Sequence, residues 1–225
     1  MVSLSRIDKL EMQALASLRL ALKDSQRPLV AFSGGKDSLA VAHMAKRLGV
    51  QNYVCETSFY FQSQLESIKA IASGMKLQVV YKNSLSLGWL KKHRQIVFST
   101  DSKLRGWSFS VRQQATVKKH AKQIVADCCI FGRRTEENCV PGVCYTTKNG
   151  LQCHPLRDWR AVDVWQYLEK YKIPTPWIYK TAFGKTEGNA PFYTLNPQTA
   201  NLSISECWSL VSSMDSRFSR GMLNE

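Results

Sequence analysis

The segment that most restricts the fold of this chain runs from Leu29 to Leu48. Pro28 ends the helical pattern before it, and Leu29-Val30-Ala31-Phe32 is a short apolar run that reads as a buried strand. Gly34-Gly35 breaks that run. Asp37 and Ser38 are good helix-starting residues, and a helix is expected through Leu39 to Leu48, closed by Gly49. The junction therefore reads Ser33-Gly34-Gly35-Lys36-Asp37-Ser38. Consecutive glycines let the backbone turn tightly and bring its N–H groups against the oxygens of an anion without side-chain obstruction. The positive end of the helix dipole is aimed at the same point. Ser33 and Ser38 can add hydroxyl donors, and Lys36 a mobile charge. The spacing is not that of a Walker loop, which needs four residues between its first glycine and its Gly-Lys-Ser/Thr.

The same alternation continues along the chain. A first helix is expected over Ser3 to Lys23, where Ile7, Leu10, Ala14, Leu18 and Ala21 form an apolar stripe. Tyr53-Val54-Cys55 reads as a strand, Ser63 to Ala72 as a helix stopped near Gly74, and Leu77 to Tyr81 as another strand. Helices over Leu85 to His93 and Val111 to Gln123 flank the strand-like Ile96-Val97-Phe98. Ile124 to Phe131 is read as a strand, and Val162 to Tyr171 as a helix ended before Pro174. Strand and helix in turn define an α/β protein with a Rossmann-like, mostly parallel sheet and helices on both faces. With no repeat and no clear linker, one domain over 1–225 is expected. Its core is placed at about 28–180, and 181–225 form a less regular tail with one helix around Ser205 to Ser212.

Charge narrows the partners. The chain carries 31 Lys and Arg against 17 Asp and Glu, a formal net charge of +14. Such an excess attracts polyanions without distinguishing a nucleotide from a nucleic-acid strand. Between Trp89 and Lys122 nine Lys or Arg face the single acid Asp101, so residues 91–122 are a candidate surface for a nucleic-acid or protein acceptor, or a solvated basic face. No apolar run approaches the roughly 18–20 residues that span a bilayer. Arg6, Asp8, Lys9 and Glu11 interrupt the N-terminal apolar residues, so no signal-peptide core is read and a cytoplasmic location with no membrane partner is expected. Seven cysteines without a secretory signal do not suggest a disulfide framework.

Two further segments follow in order. Gly132-Arg133-Arg134-Thr135-Glu136-Glu137 stands just after a strand, where an Arg can clamp an oxyanion or sit solvated in a surface loop. Then come His154-Pro155-Leu156-Arg157-Asp158-Trp159 and Val164-Trp165-Gln166-Tyr167-Leu168. Together with the Ser33–Ser38 loop they resemble the phosphoadenosine phosphosulfate (PAPS) reductase family. That family belongs to the PP-loop superfamily of adenine nucleotide alpha hydrolase-like proteins, with N-type ATP pyrophosphatases and sulfate adenylyltransferase small subunits. It has the same Ser-Gly-Gly-Lys-Asp-Ser loop, a Gly-x-Arg segment followed by acidic residues, and a Pro-Leu-x-Asp-Trp stretch leading into a Val-Trp-x-Tyr-Leu helix. The resemblance covers Leu29 to Tyr179.

The resemblance implies that Ser33, Gly34, Gly35, Lys36, Asp37 and Ser38 hold the phosphates of ATP or PAPS. Lys36 and either Arg133 or Arg134 would act on the reacting anion beside Gly132, with Mg2+ as companion. Where the family often has Asp-Thr-Gly at the end of the second strand, this chain has Glu56-Thr57-Ser58. Glu56 is then either a ligand of ribose or Mg2+, or a capping carboxylate. The family's C-terminal Glu-Cys-Gly-Leu-His is reduced here to Glu206-Cys207, so Cys207 is either a candidate nucleophile or part of a packed helix. Cys139, Cys144 and Cys153, beside His154, are a spaced set for an iron–sulfur cluster or zinc, or thiols in an ordinary loop. The implied activity is enzymatic, at a phosphoanhydride or phosphosulfate bond. It is either adenylylation or sulfur transfer, the latter with a thiol donor protein. The competing reading is a nucleotide-binding regulator, or a DNA- or RNA-associated partner subunit, that has lost reductase activity.

Overall fold

The computed structural model describes residues 4–58, 60, 62–84, 89, 103, 107, 113–137, 140–148 and 150–180. The expected strand at 96–98, most of the expected helix at 85–93, the tail beyond 180 with Cys207, and Cys139 lie outside them. Chain contacts group into two compact units. The first is Met1–Cys55, Ile71–Tyr81 and Val117–Thr175; the second is Glu56–Ala70, Lys82–Thr116 and Pro176–Glu225.

Six strands form one sheet: β1 (Pro28–Ala31), β2 (Asn52–Glu56), β3 (Val79–Lys82), β4 (Cys128–Ile130), β5 (Cys144–Thr147) and β6 (Gly150–Cys153). Their order is β3-β2-β1-β4-β6-β5. β1 runs parallel to both β2 and β4, and β4 parallel to β6, while β5 returns antiparallel along β6 at the edge. The helices are α1 (Arg6–Leu22), α2 (Lys36–Arg47), α3 (Gln62–Gly74), α4 (Ala115–Gln123) and α5 (Ala161–Lys170). The chain leaves β1 toward β2 and β3, then comes back to place β4 on the other side of β1. This makes the carboxyl ends of β1 and β4 a topological switch point, where open α/β sheets form their crevice.

Pleat alternation divides the core. Leu29, Val54 and Cys129 share one face and pack against Val117 and Ala121 of α4. Val30 and Ile130, the next residues in register, face the other way, toward the side that carries α1, α2 and α5. Helices thus cover both faces, as the alternating sequence predicts. A capping box starts α1: the Ser5 hydroxyl accepts from Asp8 N–H at 3.2 Å, and the Asp8 carboxylate accepts from Ser5 N–H at 3.3 Å. Leu10, Ala14, Leu18 and Ala21 of its expected stripe are buried. The same helix buries Glu11, which accepts from Arg47 of α2 at 2.5 Å, Lys170 of α5 at 2.7 Å and Tyr171 at 2.5 Å. One carboxylate therefore ties three helices together.

Two elements differ from the sequence reading. The strand expected over Ile124 to Phe131 is only Cys128–Ile130. α4 closes through Ala126 N–H to the carbonyl of Ala121, Val125 turns to φ +53°, and the Asp127 carboxylate is spent accepting from Gln26 N–H at 2.7 Å. The second is the β5–β6 hairpin, whose residues the sequence reading left in a loop.

At the start of α5 the fully buried Asp163 accepts from Arg6 Nε and Nη2, both at 3.0 Å, and from Arg160 N–H at 2.8 Å. Burial opposes the charged form, but these hydrogen bonds prevail and hold the carboxyl at about 2, below its ordinary 3.8. Because the folded value is the lower one, the carboxylate stabilises the fold above pH 4 and loses that contribution as pH falls toward 2. Urea unfolding at pH 6 and pH 3 is expected to show the wild type losing roughly 1 kcal/mol through this group, a loss that Asp163→Asn does not share.

Candidate functional site

The loop after β1 has the geometry its composition predicts. Phe32 N–H still bonds the Val54 carbonyl at 2.8 Å, after which the chain leaves the sheet. Gly34 takes φ +74°, a left-handed conformation that a Cβ disfavours, and Gly35 caps α2 in extended geometry without a side chain. Ser33 and Ser38 shape the turn from within. Ser38 Oγ donates to the Gly35 carbonyl at 2.9 Å and accepts from Ser33 N–H at 3.2 Å, while Ser33 Oγ accepts from Gly35 N–H at 3.3 Å. The first amides of α2, which have no intrahelical carbonyl to bind, head the helix at this turn.

The loop after β4 closes on that helix start. A Cβ built on Gly132 would lie 2.8 Å from the Asp37 carbonyl carbon and 2.9 Å from its oxygen, so backbone meets backbone there. Arg134 follows, fully buried. It donates from Nε to Asp37 Oδ1 at 2.7 Å, from Nη2 to Glu137 Oε1 at 2.6 Å, and from Nη1 to Glu136 Oε2. Burial alone would lower its pKa, but Asp37 and Glu137 outweigh it and keep the guanidinium charged. Lys36 is also buried, with Nζ 2.7 Å from Asp37 Oδ2 and 3.7 Å from Glu137 Oε1. Glu136 Oε2 in turn accepts from Ala161 N–H at 2.9 Å, the first residue of α5. Burial and the nearness of Asp37 push the Glu137 carboxyl up, with Lys36 and Arg134 opposing.

Of the two arginines, then, Arg134 is committed to carboxylates, while the partly exposed Arg133 holds its guanidinium 5.2 Å over the ring of Phe131. Behind Phe131 stands His154, fully buried and stacked between Phe131 at 5.4 Å and Tyr145 at 5.5 Å. Burial, then the Arg133 charge, lowers it to about 4, so the imidazole is neutral near pH 7. Glu136, Glu137 and the His154 stack were not singled out from sequence. The acidic run after Gly-x-Arg was the available signal.

The other expected site residues lie elsewhere. Glu56 belongs to the second unit and is buried, accepting from Ser58 N–H at 2.9 Å and Ser84 Oγ at 2.8 Å; Thr57 N–H bonds the Lys82 carbonyl at 2.9 Å. Cys144 and Cys153 are not in a loop but face each other across β5 and β6. Among the described residues no group of three or more His, Cys, Asp or Glu is placed to hold a metal ion, and no helix is long and apolar enough to cross a membrane. Of the basic stretch, Lys118, Lys119 and Lys122 are exposed on α4.

A mostly parallel sheet whose switch point carries a glycine loop, with a second strand-end loop clamped onto the same helix start, is consistent with the adenine nucleotide alpha hydrolase-like fold. The family model described as "Phosphoadenosine phosphosulfate reductase domain" matches residues 27–188, and the chain belongs to that family. It is 24% identical over 202 residues to "Sulfate adenylyltransferase subunit 2" of Mycolicibacterium vanbaalenii, covering 78% of this chain and 65% of that relative's own length. Among solved structures, the phosphoadenylyl-sulfate (PAPS) reductase from Candida auris, a phosphate complex, superposes with TM-score 0.61 at 16% identity, over 83% of this chain and 96% of the other. The NMN synthetase from Francisella tularensis does so with TM-score 0.59 at 13% identity, over 96% and 92%. At these identities the two structures show the fold.

Because the Gly132 contact is with backbone, no rotamer change can relieve it. Gly132→Ala is expected to cost about 1–3 kcal/mol of stability by overpacking. Thermal melts of the variant and the wild type check it.

Proposed function

We propose that this protein binds ATP through the Ser33–Ser38 loop and cleaves it at the α–β phosphoanhydride, transferring the adenylyl group to an acceptor and releasing pyrophosphate. The observation that carries this reading is the convergence of the two strand-end loops on the first turn of α2. There the first turn of α2, the glycine turn and the Lys36 ammonium lie together. The likeness to a sulfate adenylyltransferase subunit supports an adenylyl transfer, and the phosphate held by the Candida auris reductase supports an anion site in this fold. Burial pushes Cys129 up to about 11 and Cys128 to about 12, so neither β4 thiol is a good nucleophile, while Cys207, the sequence candidate for sulfur transfer, lies outside the described residues.

In this mechanism an acceptor oxygen attacks the α-phosphorus while the bond to the bridging oxygen breaks, and negative charge grows on the departing pyrophosphate. Loop amides and Lys36 stabilise that charge, an electrostatic task that needs donors already in place. Arg133, at the mouth of the β4 loop, contacts the distal phosphates. Arg134 acts one step removed, orienting Lys36 through Asp37 and Glu137. Mg2+ is commonly held by one or two carboxylates plus phosphate oxygens. Asp37 and Glu137, already engaged by Lys36 and Arg134, do not form a metal site by themselves, so no step is assigned to the ion.

Incubation with radiolabelled ATP and, separately, PAPS tests the reading. AMP or adenylylated acceptor together with pyrophosphate is expected from ATP. Lys36→Ala should lower turnover on the order of a hundredfold, and Arg133→Ala should weaken nucleotide binding roughly tenfold or more. Sulfite from PAPS with a thiol donor would replace this reading with the reductive one. Salt-dependent binding of nucleic acid without any nucleotide product would replace it with the regulator.

A further inference from the structure

The edge hairpin carries a feature that the nucleotide site does not use. Cys144 of β5 and Cys153 of β6 are register partners, with their sulfurs 3.2 Å apart and both thiols free. His154 N–H bonds the Val143 carbonyl at 2.6 Å, which makes 143 and 154 a hydrogen-bonded pair. Ladder alternation then makes Cys144 and Cys153 a non-hydrogen-bonded pair, the kind whose Cα atoms approach to about 4.5 Å with side chains closest. That lies inside the roughly 4.4–6.8 Å Cα range of disulfides, so the sulfurs need to close by only about 1 Å, without backbone movement. The two cysteines of neighbouring β4 are worse placed. Cys129 points to the opposite face, and Cys128, on the same face, is in register with Leu151 rather than with either member of the pair.

We propose that Cys144 and Cys153 are a reversible redox pair that a low-molecular-weight disulfide, such as oxidised glutathione, converts to a cross-strand disulfide. Cys144 is partly exposed and Cys153 fully buried, which sets the order of events. The Cys144 thiolate attacks one sulfur of the small disulfide, forming a mixed disulfide and expelling one small thiolate. Cys153 then gives up its proton and attacks the Cys144 sulfur, expelling the second small thiolate. The protein loses two protons and two electrons, and one small disulfide becomes two thiols. Proximity compensates for the reluctance of the buried Cys153 to ionise. The new bond staples the edge strand to the sheet immediately before His154, which stacks on Phe131 at the base of the β4 loop.

The test treats the full-length protein with oxidised glutathione, blocks remaining thiols and maps peptides by mass spectrometry, before and after dithiothreitol. A linked peptide pair joining Cys144 to Cys153, lost on reduction, is expected, together with an upward shift of a few degrees in melting temperature. In Cys153→Ser the reaction should stop at glutathione bound to Cys144. The wild-type peptide map stands by itself should that variant not fold. The proposal is overturned if both cysteines stay alkylatable while others oxidise, if Cys144 pairs with a different cysteine, or if stoichiometric zinc or iron protects the pair in the purified protein.

Discussion

A guanidinium removed from water is the constraint around which this site is built. Arg134 has no exposed surface, and an uncompensated charge in that position would cost several kcal/mol. Its donors are therefore matched to Asp37, Glu136 and Glu137, which come from the head of α2 and from its own loop, and Glu136 reaches on to the head of α5. Such a cluster is weak evidence of stability, since apolar residues of similar volume often serve as well. What it does is fix relative position. The start of α2, the loop after β4 and the start of α5 cannot shift independently without leaving a buried charge unpaired.

That coupling gives the topology its use. Parallel order around β1 brings two strand-end loops to the same switch point, but strand order alone does not fix how closely they meet. Gly132 removes the last side chain between the loops, and Arg134 then clamps them. Lys36 is held as a consequence, because its two carboxylate partners are the ones that Arg134 orients.

Much of this was legible in the chain. The apolar run before Gly34-Gly35 and the helix starters after it located the β1–α2 junction to within a residue or two, because strand burial and glycine conformation are local properties. A mostly parallel sheet with helices on both faces followed from alternation and from the family resemblance, whereas the order of its strands is set by tertiary pairing that no local pattern in the chain encodes. The hairpin was not legible: Cys144–Thr147 and Gly150–Cys153 are too short for a periodic signal, and their cysteines drew attention as metal ligands instead. Nor could spacing assign separate tasks to adjacent Arg133 and Arg134. That depends on which side chain the β4 loop turns inward, a tertiary outcome of packing Gly132 on α2.

The charge balance at the junction decides how an anion can bind there at all. Lys36 and Arg134 supply two positive charges against three carboxylates, so the side chains of the clamp do not attract phosphate by net charge. Under the proposed function the attraction comes from Arg133 and from the backbone, because the head of α2 and the glycine turn carry partial positive charge fixed in place. Side chains then adjust the field. The raised Glu137 carboxyl marks the point where the carboxylates crowd one another, and it is the member of the cluster most readily neutralised when a phosphate approaches. Under the proposed function such a site holds its anion by geometry first, and on that reading its glycines and its buried arginine matter as much as its lysine.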